Sequence, residues 1–336
     1  VDPAIRSSAA SALSAITQAY LGESHEAWAE WWREHKDEPR GKWLFERLRA
    51  QEAQLAKQAA ELDEVTRRLV EVYQGTLRKA EPEARLGELV RLLDDPVAAL
   101  RELAAEESRT LLRESKEPQT QLMDKLLARA TDPASSVREE VAAALAAGKD
   151  KRASALLMER LEAETEASVR GAVIKALGEL REGQAVPGLV RLLGVGDEAT
   201  MLRVIESLGQ IGERGSESAG SVDPALSPLA ALLDRSDRSA ASDAVREAAA
   251  RTLSRIARSE SLPALIRALD DNAAKVRFFA AQGLGALGKD NARAVESLLA
   301  HLSDTDKGVR AAVADTLGRI GNGQSAAAVV SRLAPG

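Results

Sequence analysis

The side chains that could do chemistry are few and lie far apart. His25, His35 and His301 are the only imidazoles. Their spacing cannot make a close three-ligand metal set, and no H-E-x-x-H pair exists to seat zinc on one helix face. There is no cysteine, which removes thiol catalysis, disulfides and thiolate-bound zinc. Adjacent acids such as Asp270-Asp271 fall where a helix should begin, and capping accounts for them. No serine sits in a nucleophile-elbow motif. Gly283-Leu284-Gly285-Ala286-Leu287-Gly288 fits G-x-G-x-x-G, but a nucleotide fingerprint needs a strand before it and a helix opening at it. Here the run closes a helix, as do the parallel runs ALGEL (176–180) and SLGQIG (207–212). The residues therefore offer no catalytic, cofactor or metal constellation, and a non-enzymatic role is expected.

What the chain does repeat is a structural phrase. Val-Arg leads, six to eight residues on, to Ala-Leu or a close variant. The copies begin at Val137, Val169, Val245, Val276 and Val309, with a degenerate one at Thr200-Met201. The starts are 32, 31, 45, 31 and 33 residues apart, and a fixed period in this range marks a solenoid. Each unit reads as a first helix, an acidic turn and a second helix that opens with Val-Arg. First helices are predicted at 122–130, 153–161, 187–193, 224–233, 262–269 and 295–302, with an unpaired one at 326–333. The turn acids are Asp132, Asp197, Asp234, Asp270-Asp271 and Asp304. A divergent first unit spans the helices after Pro82 and Pro96. The valine and the Ala-Leu pair should face the core. The arginine should bond a turn acid of its own or a neighbouring unit, making a ladder along the stack. The 45-residue interval is an insertion over 214–243, either a tolerated loose loop or part of a binding side.

Upstream the pattern changes. Residues 1–22 read as the second helix of a truncated unit, with Ile5, Ala9, Leu13 and Ile16 on one face. That face should need a cover, so the natural protein is expected to extend before Val1, or another chain to cover this end. Segment 23–41 holds Trp28, Trp31 and Trp32 on one helical side. They read as a hydrophobic plug or as a partner-docking anchor. From 42 to 80 one long helix carries Leu48, Leu55, Leu62 and Leu69 at intervals of seven, with Val65 and Val72 on a second column and Gln51 and Gln58 in the weaker half. It reads as a helix folded on this chain or as an intermolecular coiled coil. The array then fills 81–336, with about seven units.

Composition agrees with helix throughout: 29 % of residues are charged and 3 % aromatic. A net charge of −6 disfavours non-specific binding to nucleic acid or anionic membranes. No apolar run is long enough to span a bilayer, and the compartment, cytoplasm or periplasm, stays open.

The first-helix runs Val186-Pro187-Gly188-Leu189-Val190-Arg191-Leu192-Leu193 and Leu262-Pro263-Ala264-Leu265-Ile266-Arg267-Ala268-Leu269, the turn Asp, the Val-Arg and the Ala-Leu-Gly ending resemble the HEAT-repeat family in its short, PBS-lyase-like bacterial form. The resemblance covers about 83–333 and 2–18. It implies an all-α solenoid of helical hairpins, here preceded by the long helix. The tryptophan segment resembles the W..WW tail of planctomycete-type HEAT-repeat proteins. Relatives mostly scaffold proteins; some are phycobilin lyase subunits or DNA glycosylases, and this chain lacks what either would need. The expected role is a scaffold or adaptor that helps assemble a larger complex. Its protein partner should lie on the second-helix surface at Leu202, Glu206, Phe278 and Gln282, with Trp28, Trp31 and Trp32 as further candidates. By repeat alignment Phe279 is expected to pack inward beside an outward Phe278, unless both rings fill the core. The alternatives are nucleic-acid association through Arg235 and Arg238, or an accessory subunit of an enzyme complex. Self-association through 42–80 or the repeat ends stays open. No cofactor is implied.

Overall fold

The computed structural model describes residues 2–17, 19–115, 117–213, 215–234, 241–287 and 291–321. Three sequence expectations lie outside these: the Arg235/Arg238 loop, the helix at 326–333 and the terminal Gly288 of the glycine run. The described residues form helices and turns without strands, in two compact units, Val1–Lys79 and Ala80–Gly336.

The first unit contains α1 (Pro3–Thr17), α2 (His25–His35) and α3 (Arg40–Lys79). The Thr17 hydroxyl donates back to the Leu13 carbonyl and accepts from the Ala19 amide, closing α1. Its predicted apolar face stays open to solvent: Ile5, Leu13 and Ile16 are all exposed. Ser24 caps α2 by accepting from the Ala27 amide. The three tryptophans part company. Trp28 is buried and donates its indole N–H to the Gly22 carbonyl at 2.8 Å. Trp31 is half-buried, edge-on to Trp28 and stacked on His35. Trp32 is exposed. An i, i+3, i+4 set spans an arc wide enough for one member to plug and another to face water.

The second unit is a stack of hairpins. Its pairs are α4 (Pro82–Leu92) with α5 (Ala98–Glu114), α6 (Thr120–Arg129) with α7 (Ser135–Gly148), and α8 (Lys151–Ala163) with α9 (Ala167–Glu179). They continue as α10 (Val186–Val195) with α11 (Glu198–Ile211), α12 (Asp223–Ala231) with α13 (Asp243–Ile256), α14 (Leu262–Ala268) with α15 (Ala274–Leu287), and α16 (Ala292–Ala300) with α17 (Lys307–Ile320). The leading valines Val137, Val169, Val245, Val276 and Val309 and the trailing leucines Leu145, Leu177, Leu253, Leu284 and Leu317 are buried. Each such side chain contributes about 1.5–3 kcal/mol of burial, and no single hairpin could bury both faces alone.

The second helices, α5 through α17 by odd numbers, pack each on the next in one row. Close approach needs small residues there. A Cβ on Gly178 would lie 2.8 Å from the Ser207 Cα, a backbone clash that keeps glycine at the α9–α11 contact. Buried hydroxyls exploit the same closeness. Ser207, Thr252 and Thr316 occupy one repeat position and donate to the Ile174, Ile205 and Ala281 carbonyls of the preceding second helix, at 2.9, 3.2 and 3.0 Å. Within the insertion, residues 215–222 fold back on the end of α11. The Ser216 and Ser218 hydroxyls both donate to the Ile211 carbonyl, and Val222 is fully buried.

Candidate functional site

Two rows of charge run along the second unit. The first follows the turn edge. Arg101 on α5 donates two bonds, both 2.8 Å, to Asp132 in the turn of the next hairpin. Arg138 does the same to Glu164, Arg246 to Asp271 and Arg277 to Asp304. Each of these guanidinium groups also donates to carbonyls of its own turn, as Arg138 does to Asp132 and Pro133. Each acceptor carboxylate in turn holds a backbone amide two residues on, at Ala134, Glu166, Ala273 and Asp306. The ladder that the sequence left open between units therefore joins unit to next unit. Bidentate arginine pairs are the strong form of this contact. The Arg138 hydrogen bonds, with help from Arg160, hold Glu164 far below the usual carboxylate range, at about 2. Arg277 likewise depresses Asp304.

Sequence reasoning missed Glu164, because the other turn acids are aspartates. The signal was present: an acid precedes the Val-Arg helix at the same offset. The ladder lapses in the middle. Arg170 bonds only its own turn, at the Glu164 carbonyl. Asp197 instead caps α11 by accepting from Thr200. Met201 then stands where the next arginine would be.

The second row lies on the exposed face of the second helices, in a groove of about 490 Å³ over α5, α7, α9 and α11. The cations Arg109, Arg113, Lys175 and Arg203 alternate with Glu139, Glu140, Glu179 and Glu206. Their pairs are long: Arg109–Glu140 is 3.5 Å, Lys175–Glu179 3.8 Å and Arg113–Glu179 3.9 Å. Arg203 rests over Gly171, where an added Cβ would fall 1.8 Å from its Nη1. Glu140 Oε2 and Gln210 Oε1 are buried without a hydrogen-bond partner. Burial, reinforced by Glu106, Glu139 and Glu102 against the opposing Arg109, pushes the Glu140 carboxyl up. A second cleft of about 660 Å³ beside the α5–α6 turn shares Arg113 and Glu179 with this groove.

The expected partner residues are only partly brought together. Glu206 lines the groove. Leu202 is half-buried outside its lining. Phe278 and the exposed Gln282 lie on α15, with α13 between them and α11. The expected inward packing of Phe279 is not what forms. Both phenylalanines are half-buried, ring edge against ring face at 5.3 Å. The position after Phe278 belongs to the row that includes Glu140 and Arg203, which borders the groove.

Residues 155–244, 229–299 and 274–335 each match the pattern of HEAT repeats. Together they span more than half of the chain. The chain belongs to the HEAT-repeat family. Among solved structures this HEAT protein is similar to a crystal structure of an engineered protein, with a TM-score of 0.52 and 21 % identity over 73 % of this chain and 71 % of that one. It also aligns with a designed armadillo repeat protein, at a TM-score of 0.44 and 21 % identity over 60 % of this chain and 99 % of that one. No curated protein matches it. Among the described residues, no three His, Asp or Glu side chains come together to hold a metal. No described helix is long and apolar enough to cross a membrane.

Proposed function

We propose that this HEAT array is a non-enzymatic scaffold that takes an extended polypeptide of a partner protein along its second-helix face. The reading rests on two buried acceptors in the α5–α11 groove that lack a hydrogen bond: Glu140 Oε2, whose ion pair with Arg109 stands at 3.5 Å, and Gln210 Oε1. Unmet buried polar atoms cost free energy, and peptide N–H groups are donors of the right kind. Alternating cations and carboxylates suit a polypeptide of mixed charge. They oppose a phosphate backbone, which a row of lysine and arginine without acids would serve. Glu206 lies within this contact. Leu202, Phe278 and Gln282 extend it along the row, and exposed Trp32 is a separate contact on the first unit.

A displayed random-peptide library selected on the purified chain tests this. Enrichment of extended peptides bearing both charges, lost on Arg203→Glu and reduced on Phe278→Glu, is the expected result. If selected peptides bind both variants as well as the wild type, the site assignment fails. Binding to duplex DNA that falls steeply with salt would replace it with the nucleic-acid reading.

A further inference from the structure

Among the described residues of the first unit, nothing covers the apolar seam of the long helix α3. Leu48, Leu55, Leu62, Val65, Leu69 and Val72 are 37–66 % exposed. Residues 51–63 are exposed around the whole circumference. Ion pairs along the helix, Lys57–Glu61 and Glu64 with Arg67 and Arg68, support its backbone but cover no part of the seam. Helices of this kind draw most of their stability from packing an apolar face. The 3.5-residue alternation of Leu48, Gln51, Leu55, Gln58, Leu62, Val65, Leu69 and Val72 is the repeat that winds one helix around another.

We propose that α3 pairs with α3 of a second copy of this chain, parallel and in register. The arrangement of the glutamines selects this over the alternatives. In a parallel pair each column meets itself. Leucines then face leucines, valines face valines, and Gln51 and Gln58 each face their own copy, where two amides can exchange hydrogen bonds. In an antiparallel pair the leucine column faces the other column, which sets both glutamines against leucine without a partner. Burying an amide without a hydrogen-bond partner is unfavourable. The antiparallel register that aligns all eight layers also brings Glu61 against its own copy, whereas the parallel one sets it beside Thr66. A parallel slip by one heptad keeps only one glutamine pair. Polar core layers of this kind fix register in coiled coils. Leucine followed by valine in these columns accommodates more than two strands, so association of two or more copies fulfils the proposal. The seam lies outside the groove of the proposed scaffold, and the two readings stand or fall separately.

The native chain has no cysteine, so a single introduced thiol reports orientation cleanly. Light scattering of the full chain at micromolar concentration should give a mass of at least two protomers. Leu48→Cys should cross-link to its own copy on mild oxidation. In the aligned antiparallel register the two thiols would sit 24 residues apart, roughly 36 Å, and could not react. Leu55→Lys with Leu62→Lys should return the protein to one protomer while leaving the far-ultraviolet signature of the array intact. A monomeric wild type overturns the proposal. So does an associated Leu48→Cys protein that fails to cross-link, or a double variant that stays associated.

Discussion

The two charged rows of the HEAT array use similar side chains for opposite ends. Along the turn edge, guanidinium groups meet carboxylates at bonding distance with their remaining N–H groups on turn carbonyls, as Arg246 does with Asp271 and Ala241. In the groove, pairs stand 3.5–3.9 Å apart and two buried acceptors, one of them within such a pair, lack a hydrogen bond. Glu164 and Glu140 make the contrast within one stretch of chain: the first is held at about 2, the second is pushed up. A charge saturated by its neighbours stabilises the stack. A charge left short of partners is available to something else.

The ladder should break hardest. Arg246→Met leaves Asp271 buried without its cation, and such losses cost about 3–5 kcal/mol. A urea midpoint unchanged by this variant would remove the ladder from the account of stability. Glu164→Gln comes next. Because the Glu164 carboxyl falls from 4.5 to about 2 in the folded protein, its contribution is complete above the unfolded value and is lost as pH falls through the folded one. That contribution is about 3 kcal/mol. Melting at pH 7 and pH 2.5 should show the wild type and variant far apart at the first and converging at the second.

Thr252→Val probes the stretch where rungs are missing, since its hydroxyl ties α13 to α11 there. The expected loss is about 1 kcal/mol by chemical denaturation. Equal stability would mean that apolar packing alone holds this joint. Glu140→Gln, in the groove, should move stability the other way, by less than either ladder variant. A carboxyl whose pKa is raised by folding destabilises the fold as pH rises through that value, and the amide has no such charge. The gain should vanish at pH 3. Gly171→Ala has the least effect on stability, because the flexible Arg203 end can move away. Its mark should be weaker capture of groove-selected peptides at an unchanged melting temperature.

Much of this was legible from spacing. A Val-Arg phrase recurring near 32 residues is enough to place hairpins, turn acids and core columns, because each is a local matter of helix period and capping. The existence of an Arg–acid ladder follows from the same phrase. Glu164 escaped notice because its residue type differs from the other turn acids. The inward placement expected of Phe279 failed because a 100° step per residue leaves two adjacent rings straddling the edge between core and face. The folding back of 215–222 also escaped, since serine hydroxyls closing on the Ile211 carbonyl cannot be read from composition.

The sequence by itself determined the class of fold, the units and their core, and the seam of α3, since periodicity acts over one or two helical turns. Tertiary structure alone decided which unit's carboxylate each arginine reaches, where the ladder lapses, which charges gather into a groove and which acceptors stay unmet. Those depend on how far one hairpin is displaced from the next. Side chains some 30 residues apart in sequence come within 3 Å only through that stacking.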